Sequence, residues 1–108
     1  VIGGRVQLSV DITIGACNAI SPGVIIGHDA RMGHGNVVNP GAVLSGHVTL
    51  GTGTLVGSSA TILQGLKLGD GCTVGAGAVV TKDVPEQGLA VARGQQRNIE
   101  NWPRPEKK

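Results

Sequence analysis

The chain has 108 residues and a net charge of +2. It contains 19 glycines and a single aromatic residue, Trp102. This length allows one domain, and its core must be assembled from aliphatic side chains in a repetitive way. The small charge and the lack of basic stretches interleaved with aromatic residues argue against nucleic-acid binding. No apolar run is long enough for a membrane span, so we expect no membrane partner. No signal-peptide pattern occurs, and two cysteines, Cys17 and Cys72, are too few for a disulfide framework. We therefore expect a cytoplasmic location.

An aliphatic residue recurs at every sixth position from the start of the chain to Val80. A helix cannot use this period, because residues six apart point about 240° apart around its axis, and no single strand is that long. Glycine or serine commonly follows the aliphatic residue and glycine recurs two positions later, as tight corners require. Each hexad is therefore predicted to be one short strand and one corner. The aliphatic positions are Ile2, Leu8, Ile14, Ile20, Ile26, Met32, Val38, Leu44, Leu50, Val56, Ile62, Leu68, Val74 and Val80.

Three hexads close one triangular coil of 18 residues, and such coils stack at the ~4.8 Å spacing of paired strands. This predicts an all-β fold, a parallel β-helix with residues 18 apart in register from Ile2 to Val84. The residue between the two corner positions is predicted to be an exposed tip, and the residue after the second glycine to point inward. The pattern ends at Pro85, so we assign residues 1–85 to the β-helix domain and 86–108 to a C-terminal cap or tail.

Two histidines, His28 and His34, occupy corner tips in successive hexads, and His47 lies one residue beyond a tip. Asp29 follows His28 in a slot where glycine is common, and a carboxylate there can fix the imidazole tautomer and raise its basicity. Gly46 lies one coil after His28, where its amide could face an oxyanion held beside the histidine. The pattern predicts a general base, its carboxylate and an amide donor on one edge, with His47 nearby.

The segments IGHD, NPGAVLSG and VGAGAVVTKDVP give the chain a specific resemblance to one branch of the hexapeptide-repeat acyltransferases. This branch is the sialic-acid O-acetyltransferase and perosamine/bacillosamine N-acetyltransferase-like family, and the resemblance covers nearly all of the chain up to Pro85. It implies a left-handed β-helix that transfers an acetyl group directly from acetyl-CoA to an amino or hydroxyl group of a sugar or nucleotide-linked sugar. It also implies that His28 is the general base, that Asp29 raises its basicity and that the Gly46 main chain contacts the acetyl group.

The same resemblance implies a homotrimer in which the acetyl-CoA arm runs between two subunits, past Val37, Ser58 and Ala76. A short prism with an exposed aliphatic side also favours this assembly. The chain departs from the family at two places. It has Val37 where a second histidine is frequent, and it has the sequence VARGQQR where a G-x-P-A turn is usual. The family's N-terminal nucleotide-sugar-binding domain is absent here, so we expect a fragment of a longer enzyme.

Two other functions compete with acetyl transfer. A metalloenzyme similar to the γ-class carbonic anhydrases would hold zinc on three histidines between subunits, but those enzymes pair two ligands five residues apart. Here His28, His34 and His47 are separated by intervals of six and thirteen, and neighbouring corners of one triangle are too distant to share an ion within a chain. We therefore expect no metal. The other alternative is a structural fragment without activity.

Overall fold

The computed structural model describes residues 5–91, and within this range the protein is a left-handed parallel β-helix of about five coils. All strands are two residues long, and every pairing between them is parallel. The strands are β1 (Gln7–Leu8), β2 (Thr13–Ile14), β3 (Ala19–Ile20), β4 (Ile25–Ile26), β5 (Arg31–Met32), β6 (Val37–Val38), β7 (Val43–Leu44), β8 (Thr49–Leu50), β9 (Leu55–Val56), β10 (Thr61–Ile62), β11 (Lys67–Leu68), β12 (Thr73–Val74), β13 (Val79–Val80) and β14 (Leu89–Ala90). Over residues 5–91 no helix is long and apolar enough to cross a membrane.

Successive strands belong to three sheets, which form the sides of a triangular prism. The first face contains β1, β4, β7, β10 and β13, the second face contains β2, β5, β8 and β11, and the third face contains β3, β6, β9, β12 and β14. From β1 to β13 each paired residue lies 18 positions after its partner, as in Gln7 with Ile25. The predicted triangular coil of 18 residues is thereby confirmed.

The last coil corrects the prediction that this register runs to Val84. Val84 bridges to Leu68, and the side chain of Asp83 accepts the N–H of Lys67, 16 residues earlier, at 2.8 Å. An 18-residue coil would place Glu86 inward above Leu68, and burying an unpaired carboxylate is costly. The shorter coil instead places Val84 there, with 8% of its surface exposed.

Strand pairing continues beyond Pro85, because β14 pairs with β12. The last coil therefore uses residues that the sequence pattern assigned to the tail. Residues 92–108 of the predicted tail, and Ile2 at the start of the predicted register, lie outside the described residues.

The repeated aliphatic residue points into the prism in every hexad from Ile20 to Val80, where it is buried. The inward position beside it is also filled as predicted, with fully buried side chains such as Val24, Ala60 and Cys72. Burial raises the pKa of the Cys72 thiol, and neither cysteine forms a disulfide. Leu8 was predicted to be inward but is 47% exposed, because its coil packs against only one neighbouring coil among the described residues.

One inward column is polar, which the repeat did not predict. Asn18, Asn36 and Thr54 stack 18 residues apart and are buried. The side-chain oxygen of Asn18 accepts the N–H of Asn36 at 2.8 Å, and that of Asn36 accepts both the N–H and the hydroxyl of Thr54 at 2.7 Å. These bonds connect successive coils through the interior, and each satisfies a donor that burial would otherwise leave unpaired.

The three faces differ in what they expose. The outward residues of the first face are Gln7, Ile25, Val43, Thr61 and Val79, and those of the third are Ala19, Val37, Leu55, Thr73 and Leu89. Several of these are large and apolar, and Ile25 and Leu55 are both 41% exposed. The second face is polar, with Thr13, Arg31, Thr49 and Lys67. Two aliphatic faces therefore meet along one edge of the prism, opposite a polar face.

Candidate active site

The edge between the first and second faces carries the predicted catalytic residues. We call it the histidine edge, and its corner tips are Val10, His28, Gly46, Gln64 and Lys82. Asp29 and His47 each follow a tip and have positive φ angles of 56° and 59°. Asp and His adopt this left-handed conformation more readily than most residues. The same corner geometry therefore places both side chains beside the His28 imidazole.

Asp29 orients the imidazole of His28. The distance from His28 Nδ1 to Asp29 Oδ2 is 3.0 Å. An ionised carboxylate only accepts hydrogen bonds, so Nδ1 carries the proton and Nε2 presents a lone pair. The side chain of His28 is 49% exposed, so the imidazole ring is partly open to solvent. This is the arrangement that a general base requires.

Gly46 lies against the free nitrogen of His28. A Cβ atom placed on Gly46 would be 2.7 Å from Nε2 of His28, so the absence of a side chain gives the imidazole its position. The N–H of Gly46 donates to no group within residues 5–91. Nε2 of His28 therefore lies against Gly46, and the roles of the two groups as base and amide donor stay a prediction.

His47 completes a cluster on the same edge. Its Nε2 lies 3.8 Å from Asp29 Oδ2, and its ring meets that of His28 edge-on, with centroids 5.0 Å apart and planes at 89°. The prediction that His28 and His47 lie close together is confirmed. The Asp29 carboxylate lies close to both imidazoles, which the repeat pattern did not predict.

His34 has different partners on the edge between the second and third faces, which we call the ladder edge. Its Nδ1 accepts the N–H of Ala16 at 2.7 Å, and its own N–H donates to Thr52 Oγ1 at 3.3 Å. The N–H of Thr52 in turn donates to Asp70 Oδ1 at 2.8 Å. Each bond joins neighbouring coils, so these tip side chains link the stack, and Nδ1 of His34 is already used as an acceptor.

The residues predicted to line the coenzyme groove lie elsewhere. Val37 projects from the third face, opposite the histidine edge, while Ser58 and Ala76 are tips on the edge between the third and first faces. We call this the small-residue edge, and its other described tips are Pro22 and Pro40. All three predicted coenzyme residues are exposed. Within one chain the structure brings His28, Asp29 and Gly46 together but does not bring the other three to them.

A charged concavity that was not predicted from the sequence lies next to the histidine edge. It is lined by Asp11, Ile12, Thr13, Asp29, Arg31, His47, Thr49 and Lys67. Arg31 and Lys67 are outward residues of the second face, two coils apart and separated by Thr49. Arg31 and Lys67 are 36 residues apart, which is two coils of 18. This spacing could have predicted that they lie on one face beside the histidines.

Comparison with known proteins supports the repeat and the fold. The hexapeptide repeat of succinyl-transferase matches residues 47–82. The bifunctional protein GlmU of Alcanivorax borkumensis is 68% identical over 28 residues, which are 26% of this chain and 6% of that protein. The matched segment thus represents a small part of that relative.

Two solved structures are similar over most of the chain. One is a histidine-to-alanine mutant of GDP-perosamine N-acetyl transferase from Caulobacter crescentus in complex with CoA and GDP-perosamine. It is 27% identical with a TM-score of 0.58, over 82% of this chain and 52% of its own. The other is serine acetyltransferase from Neisseria gonorrhoeae in complex with serine, 26% identical with a TM-score of 0.76, over 86% of this chain and 42% of its own. The chain therefore has the fold of hexapeptide-repeat acyltransferases and spans about half the length of these neighbours.

Proposed function

We propose that this chain is the transferase part of an acetyltransferase that moves an acetyl group from acetyl-CoA to an amino or hydroxyl group of a sugar or nucleotide-linked sugar. The observation that carries the proposal is the geometry of His28, whose Nδ1 is held by Asp29 while Nε2 is free beside Gly46. The similar perosamine enzyme, bound to CoA and GDP-perosamine, supports both the donor and the class of acceptor.

The chemistry follows from where the proton must go. The acceptor nitrogen or oxygen attacks the thioester carbonyl carbon of acetyl-CoA, and Nε2 of His28 removes the proton from the attacking atom. Asp29 stabilises the imidazolium that forms, and the Gly46 N–H donates to the carbonyl oxygen as it gains negative charge. The intermediate then collapses, the carbon–sulfur bond breaks, and the His28 imidazolium gives its proton to the sulfur of CoA, which restores the neutral base. No covalent intermediate on the protein is needed.

A homotrimer would complete this site. The first and third faces expose aliphatic side chains such as Ile25, Val79, Val37 and Leu55, and patches of this kind are typical of protein interfaces. In a trimer with the small-residue edges near the threefold axis, the first face of one copy lies beside the third face of the next. This brings Val37 from a second copy to the groove that leads outward to His28, and Ser58 and Ala76 to its inner end.

A second class of acceptor is favoured by one observation. Serine acetyltransferase has a higher TM-score than the perosamine enzyme, 0.76 against 0.58, at nearly equal identity. The hydroxyl group of a small amino acid is therefore the competing acceptor. The same base and amide donor would serve it.

The test is an acetylation assay on the full-length protein with acetyl-CoA and three acceptor classes: amino sugars, nucleotide-linked amino sugars and serine. Acetylated product is measured by mass spectrometry. We expect transfer to one sugar class, reduced about 10²–10⁴-fold by His28→Ala, and reduced less by Asp29→Asn, since asparagine tolerates the positive φ and leaves the base in place. Preferred transfer to serine would reassign the acceptor. Absence of all transfer, or turnover near that of the parent protein in His28→Ala, would contradict the proposal.

A further inference from the structure

We propose that Asp29, His28 and His47 form a binding site for a divalent transition metal such as Zn²⁺, and that the bound metal blocks the base function of His28. The first half stands on geometry alone, and the second half rests on the proposed function. The expectation of no metal considered only the three histidines as ligands. In the proposed site Asp29 takes the place of His34 as the third ligand.

The ligand atoms are close enough to share one ion. One atom from each of the three side chains can be chosen so that all lie within 4.8 Å of one another. Asp29 Oδ2 lies 3.0 Å from His28 Nδ1 and 3.8 Å from His47 Nε2. Ligands bound tetrahedrally to zinc at ~2.0–2.2 Å are about 3.3–3.6 Å apart. Small rotations of exposed side chains would therefore produce the required spacing.

The donor set suits a transition metal. Two imidazole nitrogens and one carboxylate oxygen are a common set for zinc and its neighbours, and water fills the remaining positions. Asp11 lies one coil before Asp29 at the same corner position and lines the same concavity, which adds negative charge near the ion. Arg31 and Lys67 also line this concavity, but both are exposed and can extend into solvent.

Metal binding would change the state of His28. In the metal-free site Nδ1 carries the proton and Nε2 is the acceptor. An imidazole that binds a metal through Nδ1 keeps its proton on Nε2 and cannot accept another from the substrate. Asp29 would at the same time exchange its hydrogen bond to His28 for a bond to the metal. Zinc held by His47 together with His28 and Asp29 would therefore inhibit the enzyme.

The experiment is calorimetric titration of ZnCl₂ into tag-free full-length protein, with all variants made in a Cys17→Ser background because that thiol is exposed. We expect one zinc ion per chain, and visible absorption bands of low-symmetry Co²⁺ when cobalt replaces zinc. His47→Asn, which tolerates a positive φ, should weaken zinc binding at least 10-fold. His34→Gln changes the other tip histidine and should leave the affinity within about two-fold.

Activity provides the second readout, as the ratio of acetyl transfer with and without Zn²⁺ in each protein. We expect inhibition in the parent protein and in His34→Gln, and relief in His47→Asn. No zinc binding, or binding that both variants weaken equally, would overturn the site. Binding that depends on His47 without inhibition would overturn the block. Binding that depends on His47 in a protein with no transferase activity would support the site and refute the proposed function.

Discussion

The imidazole Nδ1 of His34 accepts the backbone N–H of Ala16, in the preceding coil, at 2.7 Å. His28, at the equivalent tip one hexad earlier, instead has Nδ1 at Asp29 and Nε2 beside Gly46, in the following coil. Both side chains are exposed, yet one links two coils and the other presents a free lone pair. The neighbouring groups, and not the position in the repeat, distinguish a structural histidine from a candidate base.

We expect His34→Ala to keep turnover within a few-fold of the parent protein while it lowers stability. The substitution removes the acceptor for the Ala16 N–H, a bond worth about 0.5–1.5 kcal/mol. Steady-state acetyl transfer and urea denaturation measure the two effects, with His28→Ala as the matched variant that should show the reverse pattern. A large loss of turnover in His34→Ala at unchanged stability would place this histidine in the reaction.

We expect Gly46→Ala to fold and to lose transferase activity. The new Cβ would meet Nε2 of His28 at 2.7 Å, and because the imidazole is a movable side chain, the ring should shift and the backbone should not. Gly46 has no positive φ that alanine would strain. The matched control is Gly75→Ala, whose Cβ would find its nearest neighbour at 3.6 Å. Equal turnover in the two variants would show that the Gly46 position does not limit the base.

We expect Asn36→Ala to destabilise the fold by about 1–3 kcal/mol. Two buried Thr54 donors would lose their acceptor at about 1–3 kcal/mol each, and removal of the Asn36 Nδ2 group, which has no partner within residues 5–91, offsets part of that loss. Urea denaturation gives the free energy of unfolding. Asn39→Ala is the control, since the Asn39 side chain forms no hydrogen bond within residues 5–91 and is half-buried. Similar losses in both variants would mean that the interior ladder adds little.

We expect light scattering to give a mass three times that of the 10.9 kDa chain. Leu55→Glu should dissociate the assembly, because a carboxylate on the third face would lose water without gaining a partner. Thr49→Glu places the same charge on the polar second face and should leave the mass unchanged. Circular dichroism shows whether both variants remain folded. A monomeric parent, or a trimer that survives Leu55→Glu, would contradict the proposed packing of the first face against the third.

The period of six determined most of the architecture. An uninterrupted aliphatic repeat allows only a chain that turns at every hexad, so the coil length, the inward positions and the exposed tips could be predicted. Residues 18 or 19 apart must then lie on the same edge, which brought His28, Gly46 and His47 together in the prediction. These results need only the geometry of a strand and the cost of exposing aliphatic side chains.

The tertiary structure alone decided how the side chains on each edge are used. The inclination of His28 towards Gly46 and of His34 towards Ala16 depends on hydrogen-bond partners in adjacent coils, which the repeat places nearby but does not orient. The last coil is shortened because burying Val84 is favourable and burying Glu86 is not. This preference becomes evident only when the two residues are compared as alternatives for the inward position above Leu68. Asn18, Asn36 and Thr54 are polar and resemble turn residues in the sequence. They can be buried because they hydrogen-bond to one another across 18 residues, and these partners become neighbours only in the folded stack.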